Sequence, residues 1–255
     1  MPAEPPESLY SDAELYERLV WAIGDRGDAD FYAALAGHAQ ARILELGSGT
    51  GRLSLPLAER GFAVTGIDHA PGMVALARRR ALQRQVAAAF RVADLRDFEL
   101  GARFDLIVLP NNTLGHVHTL VGLRSLLRCV QAHLAEDGLF VIDMFNPSPG
   151  RLALDASFVF PVLSFEDETG ASVDVTETSR YDVATQTSHL RWHLAGPGVA
   201  QRTLDFKLRV YFPQELDALL SLSGFAIQAR YGDYDRAPFG SSSPQQLLVC
   251  RRLSG

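Results

Sequence analysis

Ile43-Leu44-Glu45-Leu46-Gly47-Ser48-Gly49-Thr50-Gly51 is the stretch on which the fold turns. An apolar run ends in an acid and then in glycines on alternate positions. Ala41 to Leu46 reads as a buried parallel strand. Arg52 to Arg60, with Leu53 and Leu57 one turn apart, reads as the helix after it. The glycines between predict a tight turn that lets backbone approach a ligand, because without a Cβ they accept φ > 0. Several nucleotide folds use such a turn, so its neighbours carry the assignment.

Gly61 to Asp68 is a second strand with a carboxylate at its C-terminal end, where a doubly wound sheet places an acid for a ribose diol. Val86 to Val92 gives a third strand, followed by Ala93-Asp94-Leu95. Phe104 to Pro110 gives a fourth and Gly138 to Asp143 a fifth. Strands alternating with helical stretches of about 10–15 residues predict βαβ units and a parallel α/β sheet.

Outside residues 40–145 the pattern changes. Residues 1–9 read as a Pro/Glu-rich tail. Asp12 to Ile23 reads as a helix capped by Ser11 with Glu14 completing a capping box, and Asp30 to Gly37 as a second helix. Leu120 to Leu134 carries a helical stripe of Leu123, Leu127, Val130 and Leu134, closed by Asp137-Gly138. From Phe158 to Phe212 the period is two: Leu190, Trp192 and Leu194 alternate with His189, Arg191 and His193, and Leu204, Phe206 and Leu208 with Asp205 and Lys207. This predicts antiparallel sheet with one wet face, turning near Asp182 and at Gly196-Pro197-Gly198. Pro213 to Leu222 returns to helix, and Phe225 to Arg230 and Gln246 to Arg251 are final strands. The expected organisation is therefore a tail and helical cap over 1–39, a core over 40–157, an antiparallel insertion over 158–210, and the end of the core over 211–255.

With 255 residues, 47% hydrophobic and 21% charged, the chain is an ordinary globular protein. A net charge of −6 argues against a protein built to bind nucleic acid or anionic membrane. Arg78-Arg79-Arg80 reads as the solvated side of a helix whose core side is Met73, Leu76 and Ala77. Cys129 and Cys250 read as reduced thiols. The N-terminal residues carry no signal-peptide pattern, and no apolar run approaches the ~20 residues of a membrane span. A cytoplasmic protein without a membrane partner is expected.

The chain resembles class I S-adenosylmethionine-dependent methyltransferases. The resemblance rests on Glu45 to Gly51, on Asp68, on Ala93-Asp94-Leu95, on Phe104-Asp105-Leu106-Ile107 and on Asp137-Gly138-Leu139-Phe140. It is good over 40–145, fair over 210–252, where the family ends in a reversed strand hairpin, and loose over 158–210. The chain is similar to bacterial natural-product enzymes of this family, including sugar N-methyltransferases. The resemblance implies a doubly wound, seven-stranded, mostly parallel Rossmann-like sheet, S-adenosylmethionine as cofactor and S-adenosylhomocysteine as product. It implies Glu45 beneath the methionine part, close backbone approach at Gly47, Ser48, Gly49 and Gly51, and Asp68 on both ribose hydroxyls. Asp94 would take the adenine amine, Leu95 would stack nearby, and Leu109 would present backbone to the aminoacyl end. Tyr10 and Tyr16, flanking the first helix, would close over acceptor and cofactor.

The residues carry this chemistry independently. A dinucleotide fingerprint is G-x-G-x-x-G with no carboxylate in the turn. Here the third glycine falls one residue early, and Glu45 would repel pyrophosphate yet suits a ligand bearing sulfonium and ammonium groups. Glu45 also reads as an acid favouring a helix dipole, and Asp94 as a turn former. The loop Pro110 to His116 lies at the carboxyl edge, where open sheets bind ligands, which makes Asn111 and Asn112 candidate acceptor contacts. His116 is the candidate general base because its unperturbed pKa lies near neutral; it also reads as a residue that only orients its loop. His116 and His118, two apart without a third ligand, do not make a metal site. Tyr231 and Tyr234, with Asp233 and Asp235, read as an acceptor-lining loop or as a surface turn, and Tyr10 and Tyr16 as ligand closure or as aromatic packing.

The expected function is methyl transfer to a nitrogen or oxygen of a small molecule. The alternatives are a nicotinamide-dependent oxidoreductase and a non-catalytic S-adenosylmethionine-binding protein. The Asp/Asn-Pro-Pro-Tyr/Phe peptide of adenine amino methylation is missing at Leu109-Pro110-Asn111-Asn112. The antiparallel layer is expected to roof the acceptor pocket or to build a subunit contact, as in a homodimer.

Overall fold

The computed structural model describes residues 7–24, 26–167 and 169–253. Its first half runs β1 (Glu7–Ser8), α1 (Ala13–Ala22), α2 (Asp28–Leu35), β2 (Arg42–Leu46), α3 (Ser54–Glu59), β3 (Ala63–Asp68), α4 (Pro71–Arg84), β4 (Ala88–Val92), β5 (Phe104–Leu109) and α5 (Leu120–His133). It continues with β6 (Leu134–Phe145), α6 (Pro149–Leu152), β7 (Phe160–Glu166), β8 (Ser172–Asp182), β9 (Thr187–Gly196), β10 (Val199–Arg209), α7 (Pro213–Leu222), β11 (Phe225–Tyr231) and β12 (Gln245–Arg252). A 3₁₀ turn, Thr113–His116, follows β5. The chain forms two compact units, residues 26–146 with 211–253 and residues 7–24 with 147–210.

The larger unit is a seven-stranded sheet in the order β11-β12-β6-β5-β2-β3-β4. Strands β4, β3, β2, β5 and β6 are parallel, and β12 runs antiparallel between β6 and β11. Alternate residues of each strand serve opposite faces. Leu44, Leu46, Ile107, Leu109, Phe140 and Ile142 pack with Leu123, Leu127 and Val130 of α5 and Leu216 and Leu220 of α7. Ile43, Val64, Leu106, Val108 and Val141 pack on the other face, with Phe31 and Tyr32 of α2 and Leu57 of α3. Helices on both faces and a switch in strand order beside β2 make this a doubly wound sheet, which opens its ligand crevice at the carboxyl ends of the strands. The helical stripe predicted for α5 is buried, but the helix stops at His133 and Asp137-Gly138 lies within β6. A shift of register between Phe104 and Leu106 absorbs the extra residues there.

The smaller unit is a five-stranded sheet, β1-β10-β9-β8-β7, antiparallel throughout except for the short β1. One face buries Val173, Val175, Leu194 and Leu204 with Leu9 and with Leu19 of α1, and Trp192 meets Phe206 edge-on at 5.4 Å. On the wet face Arg191 holds Asp205 of the neighbouring strand through two 2.7 Å hydrogen bonds, and His193 meets Thr178 at 3.0 Å. The unit begins at 147 and recruits residues 7–24, whereas α2 belongs to the sheet of the larger unit. The two N-terminal helices grouped as one cap from sequence thus fall in different units. The cap of α1 is Asp12, whose Oδ1 accepts from Leu15 N–H at 3.0 Å; the Ser11 hydroxyl donates instead to the carbonyl of Ser8. The predicted tail lies outside the described residues up to position 6.

Phe140 is fully buried, 5.5 Å from Phe225. Phe140→Ala should cost the larger unit about 3–5 kcal/mol, the loss of a buried aromatic plus the cavity it leaves. Equilibrium denaturant unfolding checks this, and a loss below about 1 kcal/mol would mean that Phe140 is not part of the tightly packed core on the α5 face.

Candidate functional site

The turn after β2 is built by exclusion. Gly47, Gly49 and Gly51 have φ of 73°, 52° and 89°. A Cβ on Gly47 would stand 2.5 Å from Thr113 Cγ2, and one on Gly51 would stand 3.1 Å from both Leu55 and Phe90. Four of the turn's amides are spent inside the protein. Gly47 and Ser48 donate to the Ile67 carbonyl at 2.8 and 2.9 Å, Gly51 to the Ser48 carbonyl at 2.9 Å, and Gly49 to Asp68 Oδ2 at 2.9 Å. A pyrophosphate could not use these four amides without breaking those bonds, which counts against a dinucleotide here. Ser48 turns its side chain inward: a Cβ on Gly66 would lie 2.7 Å from it, and its hydroxyl is buried without a partner. Asp68 ends β3 with one oxygen on Gly49 N–H and the other on Ala70 N–H, both at 2.9 Å. Each oxygen keeps a lone pair for a ligand hydroxyl.

Glu45 is buried on the α2 face of β2, where the Ser54 hydroxyl donates to it. Burial pushes its carboxyl up to about 8, against the pull of the Ser54 hydrogen bond and of Arg52, with Asp28 pushing further upward. Arg52 pairs with the buried Asp28. Burial opposes the Arg52 charge, but the hydrogen bond and field of Asp28, with that of Glu45, outweigh it and raise the pKa.

Two strands away Asp143 stands on the same face, because Glu45 is level with Val108, Val108 with Val141, and Asp143 is two residues on. Its Oδ2 accepts from Tyr32 at 3.1 Å, Tyr234 at 2.7 Å and the Asn111 amide at 3.0 Å. Oδ1 is buried without a partner. Burial raises the Asp143 pKa despite these three donors, and burial together with Asp143 raises those of Tyr32 and Tyr234. Asn111 and Asn112 both take left-handed backbone, φ 52° and 61°, and Arg26 donates to Asn111 Oδ1 at 2.7 Å. The residues at this edge that sequence reasoning missed are Arg26, Asp28, Tyr32, Arg52, Ser54 and Asp143. Asp143 had a legible signal, a carboxylate following the apolar run Leu139 to Ile142 as Asp68 follows its own strand.

The remaining candidates divide. Asp94 is gripped by Arg96 through Nε and Nη2 at 2.9 and 2.6 Å, and that pair holds its carboxyl below the usual range. Leu95 is half-buried against the core, and Leu109 is fully buried within it, which leaves Leu109 only backbone to offer. Tyr231 and Tyr234 both pack on Phe31, at 6.0 and 5.9 Å. Tyr10 and Tyr16 belong to the smaller unit, 5.7 Å apart against its apolar cluster. His116 departs from its expected pKa. Burial, then the fields of His118 and His69, push it down to about 4. No group of side chains able to hold a metal occurs among the described residues, and no helix among them is long and apolar enough to cross a membrane. Cys129 and Cys250 are free thiols. A cleft of about 490 Å³ lined by Arg42, Ala63, Ala88, Arg91 and Phe104 opens at the amino ends of the strands, away from this edge.

A family model described as a methyltransferase domain matches residues 43–138. The dTDP-3-amino-3,6-dideoxy-alpha-D-glucopyranose N,N-dimethyltransferase of Streptomyces fradiae is 26% identical over 237 residues, 88% of each chain. Among solved structures, the CcbJ methyltransferase from Streptomyces caelestis is 26% identical with a TM-score of 0.84, over 98% of this chain and 100% of that one. CalS10, an amino pentose methyltransferase from Micromonospora echinaspora solved with S-adenosylmethionine bound, shares the fold at a TM-score of 0.72 and 24% identity, over 97% and 100% of the chains.

Glu45 generates a pH test. Its folded pKa of about 8 lies above the unfolded value of about 4.3. Its contribution to stability is therefore complete below the unfolded value and is lost as pH rises through the folded one. Glu45→Gln in the ligand-free protein should flatten the fall of Tm between about pH 5 and 8. Parallel Tm curves for the two proteins would refute the assignment.

Proposed function

The chain is a class I S-adenosylmethionine-dependent methyltransferase, and we propose that it methylates an amine nitrogen of a small, sugar-like acceptor. The observation that carries the choice of nitrogen is His116. With its pKa pushed to about 4, the imidazole is neutral at physiological pH and too weak a base to draw a proton from a hydroxyl. An amine sheds its proton to water before it binds and needs only a neutral acceptor beside it. The relative from Streptomyces fradiae, matched over 88% of both chains, is named for N,N-dimethylation of an amino sugar and supports the same reading. The oxidoreductase and the non-catalytic alternatives are not favoured by any of the matches.

When bound, the cofactor supplies a methyl carbon already activated by positive sulfur, so the chain's own part is to bind, orient and exclude water. In this reading Asp68 takes the ribose hydroxyls on the lone pairs its two amide contacts leave free. The Gly47–Gly51 turn would bring its backbone against the ligand, its positive φ angles being open to glycine. Glu45, held largely neutral in the free protein by its raised pKa, becomes favourable as a carboxylate beneath the cationic end. Asp94 can reach the adenine amine through the oxygen lone pairs that Arg96 leaves unused. Asn111, Asn112 and His116 stand on the acceptor side, His116 receiving an acceptor N–H. A cytoplasmic protein with Cys129 and Cys250 reduced fits this function.

S-adenosylhomocysteine should raise the stability of the protein by about 2.7 kcal/mol at a hundredfold excess over its Kd. Thermal shift with this ligand and with NADH checks it, and a response to NADH alone would sink the reading. His116→Asn should bind S-adenosylhomocysteine as the wild type does and methylate an amine acceptor more slowly by a similar factor across pH 6–9, since His116 does not titrate in that window. A wild-type rate, or a loss confined to one end of the range, would remove His116 from the acceptor side.

A further inference from the structure

Asp143 has more partners than a strand-end residue needs and one fewer than its burial demands. Its Oδ2 and its main-chain carbonyl receive the amides of Asn111 and Asn112, at 3.0 and 2.9 Å. Those two residues are consecutive non-glycines in left-handed backbone, a conformation that persists only where neighbouring structure imposes it. Tyr32 from α2 and Tyr234 from the loop before β12 fix the carboxylate from two further sides. Oδ1, in a residue only 1% exposed, has no partner. A buried carboxylate oxygen without a donor is costly, and its persistence calls for a ligand that the chain does not itself supply.

The neighbourhood identifies the chemistry of that ligand. Glu45 and Asp143 lie on one face of the sheet on either side of β5, with Asp28, also buried, acting on both. Arg52 is committed to Asp28 and Arg26 to Asn111. The acids flanking the end of β5 therefore outnumber the guanidinium groups committed among them, one of their oxygens lacks a donor, and a bound cation would make their charged forms favourable. We propose that Asp143 is a binding and positioning residue for methyl transfer: it holds the Asn111–Asn112 backbone through Oδ2 and its carbonyl, and it receives the ammonium group of the cofactor's aminoacyl end on Oδ1. The proposal rests on the methyltransferase reading and adds to it a residue outside the glycine turn. Tyr32 and Tyr234 act through Asp143, as donors that favour its ionised form.

Calorimetry with two nucleosides tests it: S-adenosylhomocysteine, which carries the aminoacyl end, and 5′-methylthioadenosine, which lacks it. Asp143→Asn keeps an oxygen for the three Oδ2 donors but places an NH₂ where Oδ1 stood, so the expected result is a loss of about 10- to 100-fold for S-adenosylhomocysteine and less than about threefold for methylthioadenosine. Tyr234→Phe keeps the carboxylate and tests the role should Asp143→Asn fail to fold; it should weaken S-adenosylhomocysteine selectively, by several-fold. Unchanged affinity for S-adenosylhomocysteine, or equal losses for both nucleosides, would overturn the role of Oδ1. Wild-type protein that binds neither nucleoside would remove the methyltransferase reading itself, a result distinct from either.

Discussion

The turn between β2 and α3 is the constraint from which the rest of the larger unit follows. It depends on close approach at three glycines: Thr113 against Gly47, Ser48 against Gly66 of β3, and Phe90 and Leu55 against Gly51. Its amides tie β2 to β3 through Ile67 and to the Asp68 carboxylate. The carboxyl ends of β2 and β3 and the loop after β5 are thereby locked together without one long side chain at the centre. The same economy settles what the edge can bind. Amides already donating inside the protein cannot cradle a phosphate, while lone pairs at Asp68 and the carboxyl groups of Glu45 and Asp143 remain to meet hydroxyls and cations.

That edge is costly to build. Glu45, Asp28 and Asp143 are all buried, and burying carboxylates is unfavourable unless each finds a donor or gives up its charge. The chain uses both remedies. Asp28 is paired with Arg52, whereas Glu45 and Asp143 are pushed toward their neutral forms. A cationic ligand reverses this balance by making the charged forms favourable again. The site is thus matched to a positive ligand more than it is pre-charged for one. His116 obeys the same physics with opposite sign: desolvation and two neighbouring imidazoles disfavour its cation, so it stays neutral.

The smaller unit follows from the period-two pattern of its strands. Apolar alternation builds one face around Val173, Val175, Leu194 and Leu204, and α1 covers it with Leu19. The opposite face is laced by a cross-strand Arg191–Asp205 pair exposed to solvent, which contributes specificity of register more than stability.

Local chemistry was legible in the sequence because it depends on neighbours in the chain. The glycine turn, the acid ending β3, the stripe of α5 and the alternation of β9 and β10 were all readable from spacing, since periodicity and the lack of a Cβ act within a few residues. What sequence could not decide was set by partners far along the chain. Helix α2 joined the sheet instead of α1 because Phe31 and Tyr32 found Tyr231, Tyr234 and Asp143 some hundred to two hundred residues away. Ser48 read as backbone beside a ligand, yet Gly66 of the adjacent strand left a hollow that its side chain fills. The His116 pKa and the crowding of Asp143 depend on burial and on charges brought together by the strand order β12-β6-β5-β2, and desolvation is a property of the folded neighbourhood that no single stretch of sequence encodes.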